Sequence, residues 1–288
     1  MSSSTVVSFA GGDVSGSSIV TSVESTSAGA VVVVEATPFH PVDHTWPDQP
    51  GDSGEITLDG SVVRVSEAVM AAVSDEGQFA VGSDIPVKRG GEGWTWLVGH
   101  PIEGEAPSWL VEGARVELSV DSSRRAGLSR GHTACHLASL ALDRALADLW
   151  RKDPGEDALG APDFEGKANQ SSRIHADGAV DEYRLGKSLR RAGFDTETFA
   201  ATLADREASI NARLADWVDS DASSRVVTEG PTIVDRRSWQ CELPDGTAEI
   251  LCGGTHAASL DEFVSISVTL DLTDPQLLVM TTRAVPAC

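Results

Sequence analysis

The chain changes texture near Asp121, and this limits what it can fold into more than any other feature. From Ala30 to about Val120 the β-branched runs are only a few residues long and are split by Gly, Pro and Asp. They are Val31–Ala36, Glu55–Leu58, Ser61–Val65, Gly93–Val98 and Ala114–Val120. Short apolar runs between frequent turn residues predict a small antiparallel barrel or sandwich. Only Ser66–Ser74 offers a competing helical pattern there. The Ser- and Gly-rich first 30 residues read either as a loose start or as a first strand, Ser4–Phe9.

Beyond Asp121 the pattern is different. His132–Trp150 contains no Gly or Pro, and Leu137, Leu140, Leu146 and Leu149 recur at helical spacing. Arg151, Pro154 and Gly155 close this helix, and the Gly- and Asp-rich stretch 151–180 reads as loop. Thr196–Val218 predicts one or two helices. Thr232–Cys241, Thr247–Cys252, Glu262–Leu272 and Leu277–Arg283 read as strands. Helices segregated from strands give an α+β class. The economical division is a small N-terminal β-barrel domain over 1–118 and an α+β domain over 119–288.

Charge narrows the function classes. Among 288 residues, 44 Asp and Glu stand against 22 Lys and Arg, a formal net charge of −22. Such an acidic body repels phosphates and argues against nonspecific nucleic-acid coating, so DNA is not an expected partner. Only four of the 22 basic residues are Lys, which fits either adaptation to high salt or a GC-rich coding bias. The first basic residue is Arg64, so the start lacks the charge of a secretory or mitochondrial leader. Apolar runs such as Val31–Val34 are far below the ~20 residues that span a bilayer. These features predict a cytoplasmic protein with no membrane partner. Cys135, Cys241, Cys252 and Cys288 show no disulfide framework and read as reduced core filler or metal ligands.

Two pairs of metal-ligand residues carry the chemistry. His132 and His136 are four residues apart, about one helical turn, so both imidazoles lie on one helix face. Cys252 and His256 flank Gly253-Gly254-Thr255 at the end of a predicted strand, where two glycines permit a close backbone approach. Either pair alone arises readily by chance: His136 alone reads as a core histidine, Cys252 as a small buried hydrophobe. Together, three nitrogens and one sulfur suit Zn²⁺ best among common ions.

The stretch Arg130-Gly131-His132-Thr133-Ala134-Cys135-His136-Leu137, paired with Cys252-Gly253-Gly254-Thr255-His256, resembles the editing domain of alanyl-tRNA synthetases and most of all the free-standing alanyl-tRNA editing proteins of the AlaX type. Val120–Arg125 resembles the family's lead-in to its first histidine. Thr37–Pro41 and Gln49–Gly54 resemble the opening of its small, translation-protein-like barrel. Ser259–Phe263 resembles the acidic-hydrophobic segment after the second motif. The likeness covers most of residues 30 to 270. In place of the family's Gly-rich run before the Gln, this chain carries His44–Asp48.

The resemblance implies a trans-editing hydrolase that cleaves the aminoacyl ester of mischarged tRNA(Ala), chiefly seryl and also glycyl. His132, His136, Cys252 and His256 would be the zinc ligands and catalytic centre. A bound Zn²⁺ would lower the pKa of a water, polarise the ester carbonyl or orient the substrate. Four protein ligands, however, are the usual mark of a structural zinc. The alternatives are therefore a silent zinc-stabilised RNA-binding module and an editing hydrolase for another aminoacyl-tRNA. Gln170, Ser171 and Ser172 fall where the family carries a Gln and a Gly-Ser element near substrate, or form a plain polar loop. Thr255 either aims its hydroxyl at the metal shell or caps its turn. Arg184, Lys187, Arg190 and Arg191, read as one helical cluster, supply phosphate contacts, as do Arg124, Arg125, Arg130, Arg236 and Arg237 to a lesser degree. Arg184 and Lys187 are the expected substrate-binding cations. His40 and His44 read as exposed loop histidines.

Overall fold

Along Arg115–Val120 exposed and buried residues alternate, with Val116, Leu118 and Val120 turned inward. Period two marks a strand with one face on a core. In a computed structural model, which describes residues 3–27 and 29–287, this strand is one stave of a barrel. The chain divides into two compact units. One consists of Met1–Arg125, Val226–Arg237 and Gly253–Thr255, the other of Ala126–Arg225, Ser238–Cys252 and His256–Cys288.

The first unit holds β1 (Val6–Val7), β2 (Ser15–Thr26), β3 (Gly29–Val34), β4 (Ala36–Thr37), β5 (Gly54–Leu58), β6 (Ser61–Val65), β7 (Val69–Ser74), β8 (Phe79–Val81), β9 (Trp94–Ile102) and β10 (Arg115–Val120). The sheet runs β3-β2-β10-β5-β6-β9-β7-β8, and β3 also pairs with β9. Six antiparallel strands thus close on themselves, which removes the exposed edges of an open sheet. Val20, Val32, Val34, Ile56, Val98, Val116 and Leu118 fill the inside. The Ser-rich β2 was not recognisable as a 12-residue strand; a half-exposed stave needs few apolar residues. Ser66–Ser74 is largely strand β7, not helix.

The second unit contains α1 (Ser122–Ala145), α2 (Glu165–Ala168), β11 (Asn169–His175), β12 (Gly178–Arg184), α3 (Lys187–Ala192), α4 (Thr196–Ala201), α5 (Leu203–Val218), β13 (Ser224–Thr228), β14 (Arg237–Leu243), β15 (Gly246–Leu251), β16 (Phe263–Asp274) and β17 (Leu277–Pro286), with the terminal residues of α1, β13 and β14 lying where the chain passes between units. A four-stranded antiparallel sheet runs β11-β12-β17-β16. Its edge strand β16 is clipped to α5: Asn211 Nδ2 donates to the Val268 carbonyl at 3.0 Å, and the Val268 N–H donates to Asn211 Oδ1 at 2.7 Å. The core gathers Leu137, Ala141, Tyr183, Leu214, Trp217 and Trp239. The architecture is α+β, as expected.

Three local expectations fail. The first helix starts at Ser122, ten residues before His132, because Asp121 Oδ1 accepts the Arg124 N–H at 3.0 Å as an N-cap. Gly131 does not interrupt it. A Cβ there would come within 2.2 Å of the His175 carbonyl oxygen, so glycine is what lets α1 lie against the turn joining β11 and β12. The stretch 151–180, expected as loop, supplies α2, β11 and the start of β12. The basic cluster 184–191 is not one helix: Arg184 ends β12, and α3 begins at Lys187. Cys288 lies outside the described residues.

Candidate metal centre

α1 carries His132 and His136 on one face, their ring centroids 4.8 Å apart. Cys252 follows directly on β15, and His256 comes four residues later. Cys252 Sγ lies 3.4 Å from His132 Nε2 and 3.3 Å from His256 Nε2. The ring of His256 is 4.4 Å from that of His132 and 5.1 Å from that of His136. One donor atom from each of the four residues falls within 4.8 Å of all the others, an arrangement that can hold a metal ion. Residues 120 positions apart in sequence, His132 and Cys252, therefore meet at one point.

The electrostatics suit a cation. His136 Nε2 is buried with no hydrogen-bond partner. A buried polar atom left so costs about 1–3 kcal/mol, and a metal at this point would satisfy it. Burial pushes the His136 pKa down to about 4, so the ring is neutral at pH 7 and offers a lone pair. Around the rings stand three residues that sequence reasoning did not single out. Thr133 Oγ1 lies 3.2 Å from His256 Nδ1 and accepts the Ala257 N–H at 3.0 Å. The indole of Trp239 is stacked on His136, centroids 5.3 Å apart at 27°, and tilted against His256 at 5.5 Å. Its N–H donates to Ser224 Oγ at 3.1 Å, and the Ser224 hydroxyl donates to the Ala257 carbonyl at 2.5 Å. Thr133 sits inside the first motif; a lone Trp on a strand and a lone Ser give no such signal.

The other residues expected at the site lie as follows. Gln170 is exposed on β11, and its side chain donates to the neighbouring Asn169 carbonyl at 2.9 Å. Ser171 donates to Glu182 Oε2 at 3.1 Å, and buried Ser172 accepts from Asn169 Nδ2 at 3.3 Å. Arg184 and Lys187 are exposed. Thr255 is buried in the barrel-containing unit, where Gln49 binds it: Gln49 Nε2 donates to Thr255 Oγ1 at 2.8 Å, and the Thr255 N–H donates to Gln49 Oε1 at 3.0 Å.

Two groups of expectations need correction. Arg125 and Arg237 are buried, not poised for phosphate. Arg125 Nε reaches both Asp52 oxygens at 2.9 and 3.1 Å, and Nη2 reaches the Pro38 carbonyl at 2.7 Å. Arg237 donates to the Thr232 carbonyl at 2.5 Å and lies over the Phe9 ring. Arg130 is paired with Asp177 at 2.6 Å. His40 and His44 are not exposed. His40 is buried edge-on to Phe9, and the buried His44 ring has Nε2 3.0 Å from the Val87 carbonyl. Asp52 and Pro38 for Arg125, Phe9 for Arg237 and His40, and Val87 for His44 are distant in sequence, so local polarity gave no warning of burial.

Among the described residues no helix is long and apolar enough to cross a membrane. No protein-family model matches the chain. It is similar to alanine–tRNA ligases. With that of Sorangium cellulosum it shares 25% identity over 252 residues, 86% of this chain and 22% of the ligase. With that of Kineococcus radiotolerans the identity is 28% over 239 residues, 82% and 22% of the two chains. With that of Methanopyrus kandleri it is 27% over 173 residues, 60% and 17%. The chain thus spans about a fifth of the length of the curated relatives it matches, and it is to that portion of an alanine–tRNA ligase that it is similar.

Proposed function

We propose that this chain is an editing hydrolase of the free-standing alanyl-tRNA editing type, which deacylates mischarged tRNA(Ala) with Zn²⁺ bound by His132, His136, Cys252 and His256. The observation that carries the reading is the convergence of those four donors, in a chain similar to part of alanine–tRNA ligases. Two of the donor separations match those of a tetrahedral zinc. Bonds of 2.3 Å to sulfur and 2.0–2.1 Å to nitrogen at tetrahedral angles put S and N about 3.5 Å apart. The two Sγ–Nε2 separations are 3.4 and 3.3 Å.

A zinc held by His132, His136, Cys252 and His256 would supply Lewis-acid chemistry for ester cleavage. The chain's own residues prepare the site. Burial holds His136 neutral, and Gly131 lets the helix that carries both histidines lie against the turn joining β11 and β12. Gln170, Ser171, Ser172 and Thr255 are assigned to contact with the aminoacyl group, and Arg184 and Lys187 to the tRNA. A hydrolytic site of this kind answers a physical need. A pocket that admits alanine cannot strongly reject glycine, which lacks one methyl, or serine, which adds one hydroxyl.

The test is deacylation of Ser-, Gly- and Ala-tRNA(Ala), with and without chelator. Hydrolysis of the seryl ester, sparing of the alanyl ester and loss of activity on chelation are expected, with about one zinc per chain. His132→Ala should lose both metal and activity. Full activity in that variant overturns the reading, and metal binding without hydrolysis of any ester assigns the zinc a structural role.

A further inference from the structure

Three side chains that do not face the four donor atoms form a continuous support beneath two of them. Thr133 lies one residue past His132 on α1, is fully buried, and stands between His256 Nδ1 (3.2 Å) and the Ala257 N–H (3.0 Å). Trp239, fully buried on β14, stacks on His136 and tilts against His256. Ser224 ties the indole N–H to the Ala257 carbonyl. The peptide groups on both sides of Ala257 are thus fixed, its N–H by Thr133 and its carbonyl by Ser224. Ala257 is the residue after His256, so the backbone of that ligand is held at its C-terminal side.

We infer that Thr133, Ser224 and Trp239 are positioning residues: Thr133 supports the His256 tautomer that leaves Nε2 open to a metal, and the three together hold the His256 and His136 rings in place. The inference rests on reading His132, His136, Cys252 and His256 as a metal site.

Thr133 Oγ1 can accept from His256 Nδ1 or donate to it, and a metal bound at Nε2 requires the first arrangement. A hydroxyl oxygen has two lone pairs and one proton. In Thr133 one lone pair takes the Ala257 N–H. His256 Nε2 is the nitrogen that faces Cys252 Sγ, at 3.3 Å. With its proton on Nδ1, His256 donates to the second lone pair of Thr133 Oγ1, and Nε2 presents a lone pair toward the other donors. The opposite tautomer would place the proton on Nε2, where a metal must bind. A hydrogen bond to the distal nitrogen commonly fixes a ligating imidazole in this way, and its loss weakens metal binding about 10–100-fold. The indole performs a different task. It packs against two of the three imidazoles, those of His136 and His256.

The test uses the full chain. Co²⁺ affinity is measured by competition with a chromophoric chelator, the Co²⁺ absorption spectrum reports ligand geometry, and ¹⁵N NMR of the metal-free protein reports the His256 tautomer. Thr133→Val should weaken Co²⁺ binding about 10–100-fold and remove the Nδ1–H preference of His256. Thr133→Ser, which keeps the oxygen, should restore both. Ser224→Ala and Trp239→Phe should each weaken binding several-fold; Trp239→Phe keeps a ring on His136 but removes the donor to Ser224. Denaturant unfolding of the metal-free variants separates a folding defect from a positioning one. The inference is overturned if Thr133→Val binds Co²⁺ within twofold of the parent with an unchanged spectrum, or if Thr133→Ser fails to restore an affinity that Thr133→Val has lost. Failure of the parent chain to bind Co²⁺ or Zn²⁺ overturns the metal-site reading instead.

Discussion

Gln49 grips Thr255 with both ends of its carboxamide, accepting the Thr255 N–H at 3.0 Å and donating to its hydroxyl at 2.8 Å. Thr255 is the residue before His256, and 206 residues of chain separate the two partners. Both are buried. Gln49→Ala removes the acceptor from a buried N–H and should destabilise the fold by about 1–3 kcal/mol. Gln49→Glu keeps an acceptor but buries a carboxyl group, so its cost should be smaller at about pH 4, where that carboxyl is protonated, than at about pH 8. Urea unfolding midpoints at the two pH values, each taken against the parent at the same pH, decide this; a pH-independent cost equal to that of Gln49→Ala would show that the N–H···Oε1 bond is not what matters.

Asp52 and Arg125 form a buried ion pair in the barrel-containing unit, with Asp52 at 0% exposure and Arg125 at 5%. Removing one partner leaves the other charge buried and unbalanced, so Asp52→Ala should cost about 3–5 kcal/mol. Replacing both, as Asp52→Ala with Arg125→Met, should cost much less than the sum of the single changes. A double-mutant cycle by chemical denaturation measures the coupling. Additive losses would mean that the pair makes no joint contribution.

Asp143 on α1 accepts the N–H groups of Phe164 and Glu165 at 3.0 and 2.9 Å. Burial pushes its carboxyl up to about 9, and burial likewise pushes Glu165 up to about 7. The unfolded chain releases both protons near pH 4, while the folded state keeps them. Stability is therefore greatest at or below about pH 4 as far as these two groups are concerned. It falls as pH rises, through about 7 for Glu165 and about 9 for Asp143, by about 1.4 kcal/mol per pH unit for each group still protonated. Asp143→Asn keeps the carbonyl acceptor and removes one titration. Its melting temperature should exceed the parent's at pH 8 and approach it at pH 5. Parallel curves across that range would exclude a protonated Asp143.

The formal charge of −22 sets up self-repulsion across the surface. Screening shortens from about 10 Å at 0.1 M salt to about 3 Å at 1 M. The melting temperature should therefore rise with KCl over that interval, and rise less in sucrose of equal osmolality. An equal rise in both would make the effect one of excluded solute and not of charge.

The sequence by itself determined what is local. Short β-branched runs between closely spaced turn residues announced β5, β6 and β10, because strand and turn preferences act over a few residues. The spacing of His132 and His136 guaranteed one helix face, because four residues make about one turn. Their meeting with Cys252, 120 residues away from His132, follows from no local rule. The tertiary structure alone decided it, through the packing of α1 against the turn joining β11 and β12 at Gly131 and the end of β15. The same holds for Thr133, Ser224 and Trp239, for the burial of Arg125 and His40, and for the strand in Ser-rich β2. Each depends on which distant surface arrives beside it, and side-chain chemistry read along a chain carries no record of that arrival.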